Sequence, residues 1–474
     1  MINTLLIFPI IACILVLLIK NKTFNTILVN LYAVLHITIT GLLAAGFGSK
    51  VGIPYFAVDN TNLIFLLVLS VVFLMVSIYN NGYVRTFDFP AEKISRYSFM
   101  ILVFVLSMTG TILSTDLGIA WILVEATTLS SAYLIYFNKT KHSIEAAWKY
   151  VFICSIGIAL AFVGIILLNI STGAVNTLNF VQLYSYAPVF DIGWLKIAFV
   201  FMLFGFGAKM GLAPVHFWLP DAHAEAPSPI SALLSAALLN SAFLVIVRVF
   251  KILEIAGCDD YARFMLAFMG FISLFVTAVF VYHIKNYKRM LAYSSIENMG
   301  ILALGTAFGA PYAVILHLIG HSLAKASFFL TSGNILELYG TKRIKSVSGI
   351  INADGKTGWL WVTSFLAICA FPTSVLFISE FLIVKTMIMH GYYLLCALFV
   401  LLLTIILYGI GRVTVKTAFG NVSEDKIKVI EANKSKIKAC MYIPQFVMLV
   451  IVFVLGVYVP KFLDNIINLT IAGF

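Results

Sequence analysis

The stretch WILVEATTLSSAYL, residues 121–134, lies within an apolar run from 117 to 137 that is long enough to cross a bilayer as one helix. It also carries a carboxylate, Glu125. In hydrocarbon a chain must satisfy its own backbone, so such a run is read as helix. Glu125 then sits about eight residues in, ~12 Å deep at the helical rise. An ionisable side chain at that depth costs ~2.5–3.5 kcal/mol on insertion scales, so it calls for a partner and a purpose.

The rest of the 474-residue chain is built the same way. Apolar residues make up 62% of it and charged residues only 11%, more apolar surface than a soluble chain of this length can hide. About fourteen runs reach spanning length, which predicts an all-α polytopic membrane protein. The first, 3–19, lacks the basic flank and small-residue cleavage site of a signal peptide and is expected to be a retained span. Prolines break the pattern twice. GFGAKMGLAPVHFWLPDAHAEAPSP (205–229) follows span seven with Pro214, Pro220, Pro227 and Pro229, and CAFPTSVLFISEF (369–381) interrupts the overlong run 358–389 at Pro372. Proline removes a helix donor, so spans seven and twelve are expected to be discontinuous. The six cysteines are scattered, with no CxxC or CxxH spacing, and no Gly-rich nucleotide loop occurs. No metal or redox cofactor is expected on this chain.

Of the 31 Lys and Arg, twenty-two fall in loops after odd-numbered spans, six in the other loops and tail, and three (Lys209, Lys325 and Lys385) inside spans. Basic loops stay in the cytoplasm, so both termini are expected outside. The net charge of +11 is thereby a topology signal rather than a nucleic-acid footprint. The basic loop 412–438 reads first as a solvated segment and second as a surface for a partner or for lipid.

The ionisable residues inside the spans form a set. His317, His321 and Lys325 recur at i, i+4 and i+8 on one helix face. Glu380 follows the second break, and Lys385 comes five residues later. A lysine near a helix end can extend its ammonium to the interface, a reading open for Lys209 and Lys385. A buried histidine is often only hydrogen-bonded. Glu125 and Lys325, however, have no sequence neighbour to neutralise them. Alternating carboxylates, lysines and histidines exchange protons where water fills the gaps, and a Glu–Lys pair that approaches and separates switches proton affinity. Asp116, Glu145, Asp221 and Glu225 lie near span ends, where interfacial solvation suffices. Broken helices in two halves of a chain point to an inverted repeat. The expected organisation is 1–97 for helices 1–3, 98–256 for a first five-helix repeat, 257–417 for a second, inverted one, and 418–474 for the basic loop and helix 14.

Three ordered motifs, KMGLAPVHFWLPDAHAEAPSPISALL (209–234), KRMLAYSSIENMGIL (288–302) and HLIGHSLAKASFFLTSG (317–333), resemble the antiporter-like subunits of complex I, of Mrp cation/proton antiporters and of membrane-bound NiFe hydrogenases. The region following Glu125 looks most like the F-type member of the hydrogenase-4 branch. The resemblance implies that Glu125 pairs with Lys209, that His317 and His321 link to a central Lys325, and that Glu380 is the terminal acid or base, all on a hydrated axis parallel to the membrane plane. There are departures. Where many relatives have His or Lys in span eight, this chain offers Ser235 and Asn240, and Ile158 stands where some have Asp in span six. Glu297 suits a hydrogenase-type relative, as a relay member or a packing hydrogen bond. The chain stops soon after span fourteen, without the lateral helix of the largest complex I relative.

The resulting expectation is a proton-translocating subunit of a redox-driven membrane complex in the prokaryotic cytoplasmic membrane. Partners would be sibling antiporter-like subunits, lipid, and a peripheral hydrogenase or quinone-reductase arm that holds the NiFe, iron–sulfur or flavin centres. Competing readings are an Mrp-type Na+/H+ antiporter subunit, a membrane subunit of a bicarbonate uptake system, and a scaffold whose ion path has decayed.

Overall fold

A computed structural model describes residues 1–472 except 49, 87–88, 174, 176 and 423, together with the side chains of all of these but 424 and 425. Among the described residues the fold is helical, with only isolated bridges between loops. Its principal helices are α1 (Ile2–Leu18), α2 (Lys22–Ala44), α3 (Asn62–Thr86), α4 (Ala91–Leu113), α5 (Leu117–Ile135), α6 (Lys141–Ser171), α7 (Ile192–Met210), α8 (Ser228–Ile255), α9 (Asp259–Phe280), α10 (Tyr287–Ala307), α11 (Pro311–Tyr339), α12 (Gly355–Ile368), α13 (Val375–Met389), α14 (Tyr393–Ala418), α15 (Glu424–Lys434), α16 (Ile443–Leu455) and α17 (Lys461–Ile471).

Among the described residues ten helices are long and apolar enough to span a membrane, and the pair at α15/α16, bent by 114°, reaches that length and apolarity only when taken together. The runs expected at α1, α10, α12/α13 and α16 are not among the ten: each is too short, broken or too polar along its length. Helix α4 begins at Ala91, so the boundary expected at 97/98 falls within its second turn. Helix α17, after the last apolar run, was not foreseen.

Local sequence sets the helix ends. The Asp116 carboxylate accepts from the Ile119 amide at the start of α5, Thr140 and Ser143 form a reciprocal cap on α6, and Asn286 caps α10. Both proline-marked breaks are present. Helix α7 ends at Gly211 with φ 84°, and a short helix, Leu219–Glu225, precedes α8. Between α12 and α13 the backbone unwinds, with Ala370 and Thr373 at positive φ, before Ser374 caps α13.

Helices α8 and α11 are buried along their whole apolar length, and α10 nearly so. They form the centre, while α6, α9 and α14 turn apolar faces outward, among them Trp148, Phe152, Phe268, Phe275 and Leu401. This is the inverse of a soluble protein: the three central helices are rich in polar side chains, and the rim is greasy. Small residues bring α6 and α7 into backbone contact. A Cβ built on Gly205 would lie 2.6 Å from both the Ala161 amide nitrogen and the Gly157 carbonyl oxygen, and one on Gly164 would lie 2.9 Å from the Ala198 carbonyl oxygen.

Two cations assigned to loops from the sequence are buried instead. Arg248 is 3% exposed within α8, donating to Asp59 Oδ2 at 2.6 Å and the Ser114 carbonyl at 2.5 Å. Lys288, in the first turn of α10, is fully buried and donates to the Ala226 carbonyl at 2.6 Å. Both lie where one helix meets an irregular segment of another, and carbonyls freed there solvate them.

Candidate functional site

The first cluster spans α5, α6 and α7. Glu125 is half-buried, between the exposed Ile122 and Leu129 on the flank of α5. Its Oε1 accepts from Ser155 Oγ on α6 at 3.0 Å, and its Oε2 from Thr128 Oγ1 at 3.1 Å. Lys209 is fully buried at the last turn of α7. Its Nζ donates to Thr128 Oγ1 at 2.9 Å and to the Tyr150 hydroxyl at 2.5 Å. Glu125 and Lys209 therefore make no direct ion pair but share one hydroxyl, which donates to the carboxylate and accepts from the ammonium. Tyr150, accepting from Lys209, donates on to Ser131 Oγ at 2.6 Å, and Ser131 donates to the Thr127 carbonyl at 2.5 Å. The glycine contact between α6 and α7 is what lets Lys209 reach Tyr150.

The second cluster lies on α8, α10, α11 and α13. Residues Leu234–Leu238 of α8 form a π-helical turn. Such a turn leaves a carbonyl without its usual helical donor, and here the Ser235 carbonyl accepts from His321 Nε2 at 3.4 Å. The Ser235 hydroxyl meets Ser295 Oγ at 2.8 Å. Asn240 donates to Ser322 Oγ at 2.7 Å, joining α8 to α11. His317 bridges Asn298 Oδ1 at 3.1 Å and Ser379 Oγ at 3.0 Å. Lys325 is fully buried and donates to the Leu291 carbonyl at 3.1 Å. Glu297 accepts from Ser294 Oγ at 3.1 Å. Glu297 and Glu380 line one cleft of about 380 Å³ with Cys369 and Phe377, beside the unwound turn between α12 and α13. Lys385 is exposed on α13 and is not brought into this cluster.

Several members were missed in the sequence. Thr128, Ser155, Tyr150 and Ser131 carry the first cluster, but hydroxyls are common in membrane helices and none stands out. Asn298, Ser322 and Ser379 are the same case. His223 is fully buried, with neither ring nitrogen hydrogen-bonded among the described residues, and stacks on Phe329 at 4.8 Å. Its signal was its place inside the first proline-rich break. Asp221 and Glu225 are ion-paired, to Lys149 and Arg289 (3.1 and 2.9 Å) and to Lys342 (3.1 Å). They line a cavity of about 630 Å³ on the side of the basic loops. Ala146 in its wall lies one helical turn from Tyr150. No group of three or more His, Cys, Asp or Glu with metal-holding geometry occurs among the described residues.

Residues 114–406, which contain both clusters, match the family model described as NADH:quinone oxidoreductase/Mrp antiporter, transmembrane. The chain belongs to this family. It is 33% identical over 419 residues to the hydrogenase-4 component F homolog of Methylacidiphilum infernorum, spanning 86% of each chain. Its fold matches a chain of the membrane-bound sulfane sulfur reductase, an archaeal respiratory membrane complex, with a TM-score of 0.87 at 22% identity over 99% of this chain and 97% of that one. It also matches a chain of the Mrp complex from a Dietzia species, with a TM-score of 0.82 at 18% identity over 100% and 96%. In this family member the matched region begins at the foot of α5 and ends within α14, so α1–α4 and α15–α17 lie outside it.

Proposed function

We propose that this chain is the proton-translocating subunit of a redox-driven membrane complex of the group 4 hydrogenase or complex I-like kind, with no redox centre of its own. One observation carries the proposal: Glu125 and Lys209 share the Thr128 hydroxyl inside the membrane. A carboxylate and an ammonium joined through one rotatable hydroxyl form an element whose proton affinity changes when the two move apart. The likeness to the hydrogenase-4 component F homolog supports the parent complex.

In this reading the chain crosses the membrane about fourteen times, with α12 and α13 as the two halves of one span, and both termini face outside. Helices 4–8 and 9–13 are inverted repeats. Glu125, Lys209, His317, His321, Lys325 and Glu380 transfer protons, with Ser235, Asn240 and Glu297 as linkers. The half-exposed Glu125 and the Glu297/Glu380 cleft are covered in the complex by sibling membrane subunits. NiFe, iron–sulfur or flavin centres sit on a peripheral arm.

Changing Lys325 to Ala in the assembled complex tests this. Proton translocation is expected to fall to background while the complex still assembles. Full translocation by the variant would refute the relay. Sodium-gradient-driven exchange without an electron donor would instead favour the Mrp-type reading.

A further inference from the structure

Away from both clusters, α12 and α16 enclose an apolar groove of about 600 Å³ on the outer face. Leu360, Phe446, Leu449, Val450 and Phe453 line it, and Lys356, Trp359 and Tyr442 stand at one end. Among the described residues Lys356 makes no hydrogen bond or ion pair. It is exposed, and its ammonium lies 5.5 Å over the Tyr442 ring. Trp359 is 60% exposed, with no hydrogen bond from its indole N–H among the described residues. From Tyr442 to Val454 the groove follows α16 for about 18 Å at the helical rise, close to one leaflet of a hydrocarbon core about 30 Å thick.

We infer that this groove binds one anionic glycerophospholipid. An acyl chain lies along α16, the phosphate sits on the Lys356 ammonium, and the Trp359 indole N–H is offered to the ester region. Three features select this occupant. The groove is apolar along its length and one leaflet long. Its open end, unlike its walls, carries an unpaired cation, which a neutral helix from a partner would leave unneutralised. The tryptophan and tyrosine beside that cation are the amphipathic side chains favoured at headgroup level. The segment leading into α16, next to Tyr442 in sequence, adds Lys434 and Lys438, which raise the local concentration of anionic lipid. Its α16 wall lies outside the family-matched region, and none of its lining residues belongs to either polar cluster.

The test uses the protein purified with its partners and placed in nanodiscs of phosphatidylcholine containing a minor fraction of phosphatidylglycerol. Native mass spectrometry counts retained phosphatidylglycerol per chain. Lys356→Ala is expected to weaken retention of one phosphatidylglycerol roughly fivefold, the effect of one lysine at an anionic surface. Val450→Trp, which fills the groove, should remove that lipid altogether, whereas Lys196→Ala, a cation outside the groove, should change nothing. Equal retention by wild type and both groove variants would overturn the assignment. So would cross-linking of a photoreactive residue at position 450 to a partner polypeptide instead of to lipid.

Discussion

Thr128→Val is the sharpest perturbation of the first cluster, because it removes one hydroxyl and keeps the shape of the side chain. Through Thr128, Glu125 Oε2 and Lys209 Nζ are held no more than about 6 Å apart, a separation at which their attraction is at least ~3 kcal/mol with an effective dielectric constant of 20. Among the described residues the substitution leaves Lys209 hydrogen-bonded to Tyr150 alone and Glu125 to Ser155 alone. A hydrogen bond to a charged group contributes ~1.5–3 kcal/mol. Losing one at each end therefore changes the barrier for proton transfer between them by a comparable amount, a roughly tenfold to hundredfold slowing. The assay is acidification of proteoliposomes holding the intact complex, followed with a pH-sensitive dye and compared with electron transfer by the same sample. Translocation should drop and electron transfer should uncouple from it. Combining Thr128→Val with Glu125→Gln should cost little beyond Glu125→Gln alone, since both act on one link. Wild-type translocation by Thr128→Val, or full additivity of the two changes, would refute the shared-hydroxyl argument.

Other expectations follow from the same geometry. Gly205→Leu forces α6 and α7 apart and separates Lys209 from Tyr150; a lower melting temperature in detergent should accompany loss of translocation, and a variant that keeps both would contradict the packing account. Asn240→Leu deletes the α8–α11 bond to Ser322 and should slow translocation more than it lowers thermal stability, measured on one preparation. Asp59→Ala leaves the buried Arg248, among the described residues, with the Ser114 carbonyl and the Phe180 ring, so stability should fall by ~1–3 kcal/mol with translocation by the surviving complex unchanged, read from denaturation midpoints.

Much of the fold was legible in the sequence, because membrane helices advertise themselves by length and prolines mark where they fail. Pro214 and Pro372 pointed to both breaks. The isolated charges were legible for the same reason: Glu125, Lys209 and Lys325 stand alone in apolar text. What the residues could not convey is who stands between them. Thr128 lies three residues from Glu125, which is visible, but that it also faces Lys209 on another helix is a tertiary fact. The π-turn at Leu234–Leu238 leaves no sequence mark, so the part played by the Ser235 carbonyl was invisible while its hydroxyl was not. Arg248 and Lys288 were misplaced because a count of basic residues treats a cation near a span end as solvated, whereas irregular backbone nearby supplies buried acceptors.

The glycine contact between α6 and α7 has a mechanical consequence. With Gly157, Gly164 and Gly205 pressed backbone to backbone, these two helices have no room to slide, and the ammonium they position is anchored like a fixed terminal. Thr128 and Glu125 both ride on α5, which reaches that pair of helices through side-chain hydrogen bonds, Glu125 to Ser155 and Thr128 to Lys209. A conducting complex would thus open and close the contact by moving the contact arm, α5, and a push delivered by a neighbouring subunit would need to reach only that one helix.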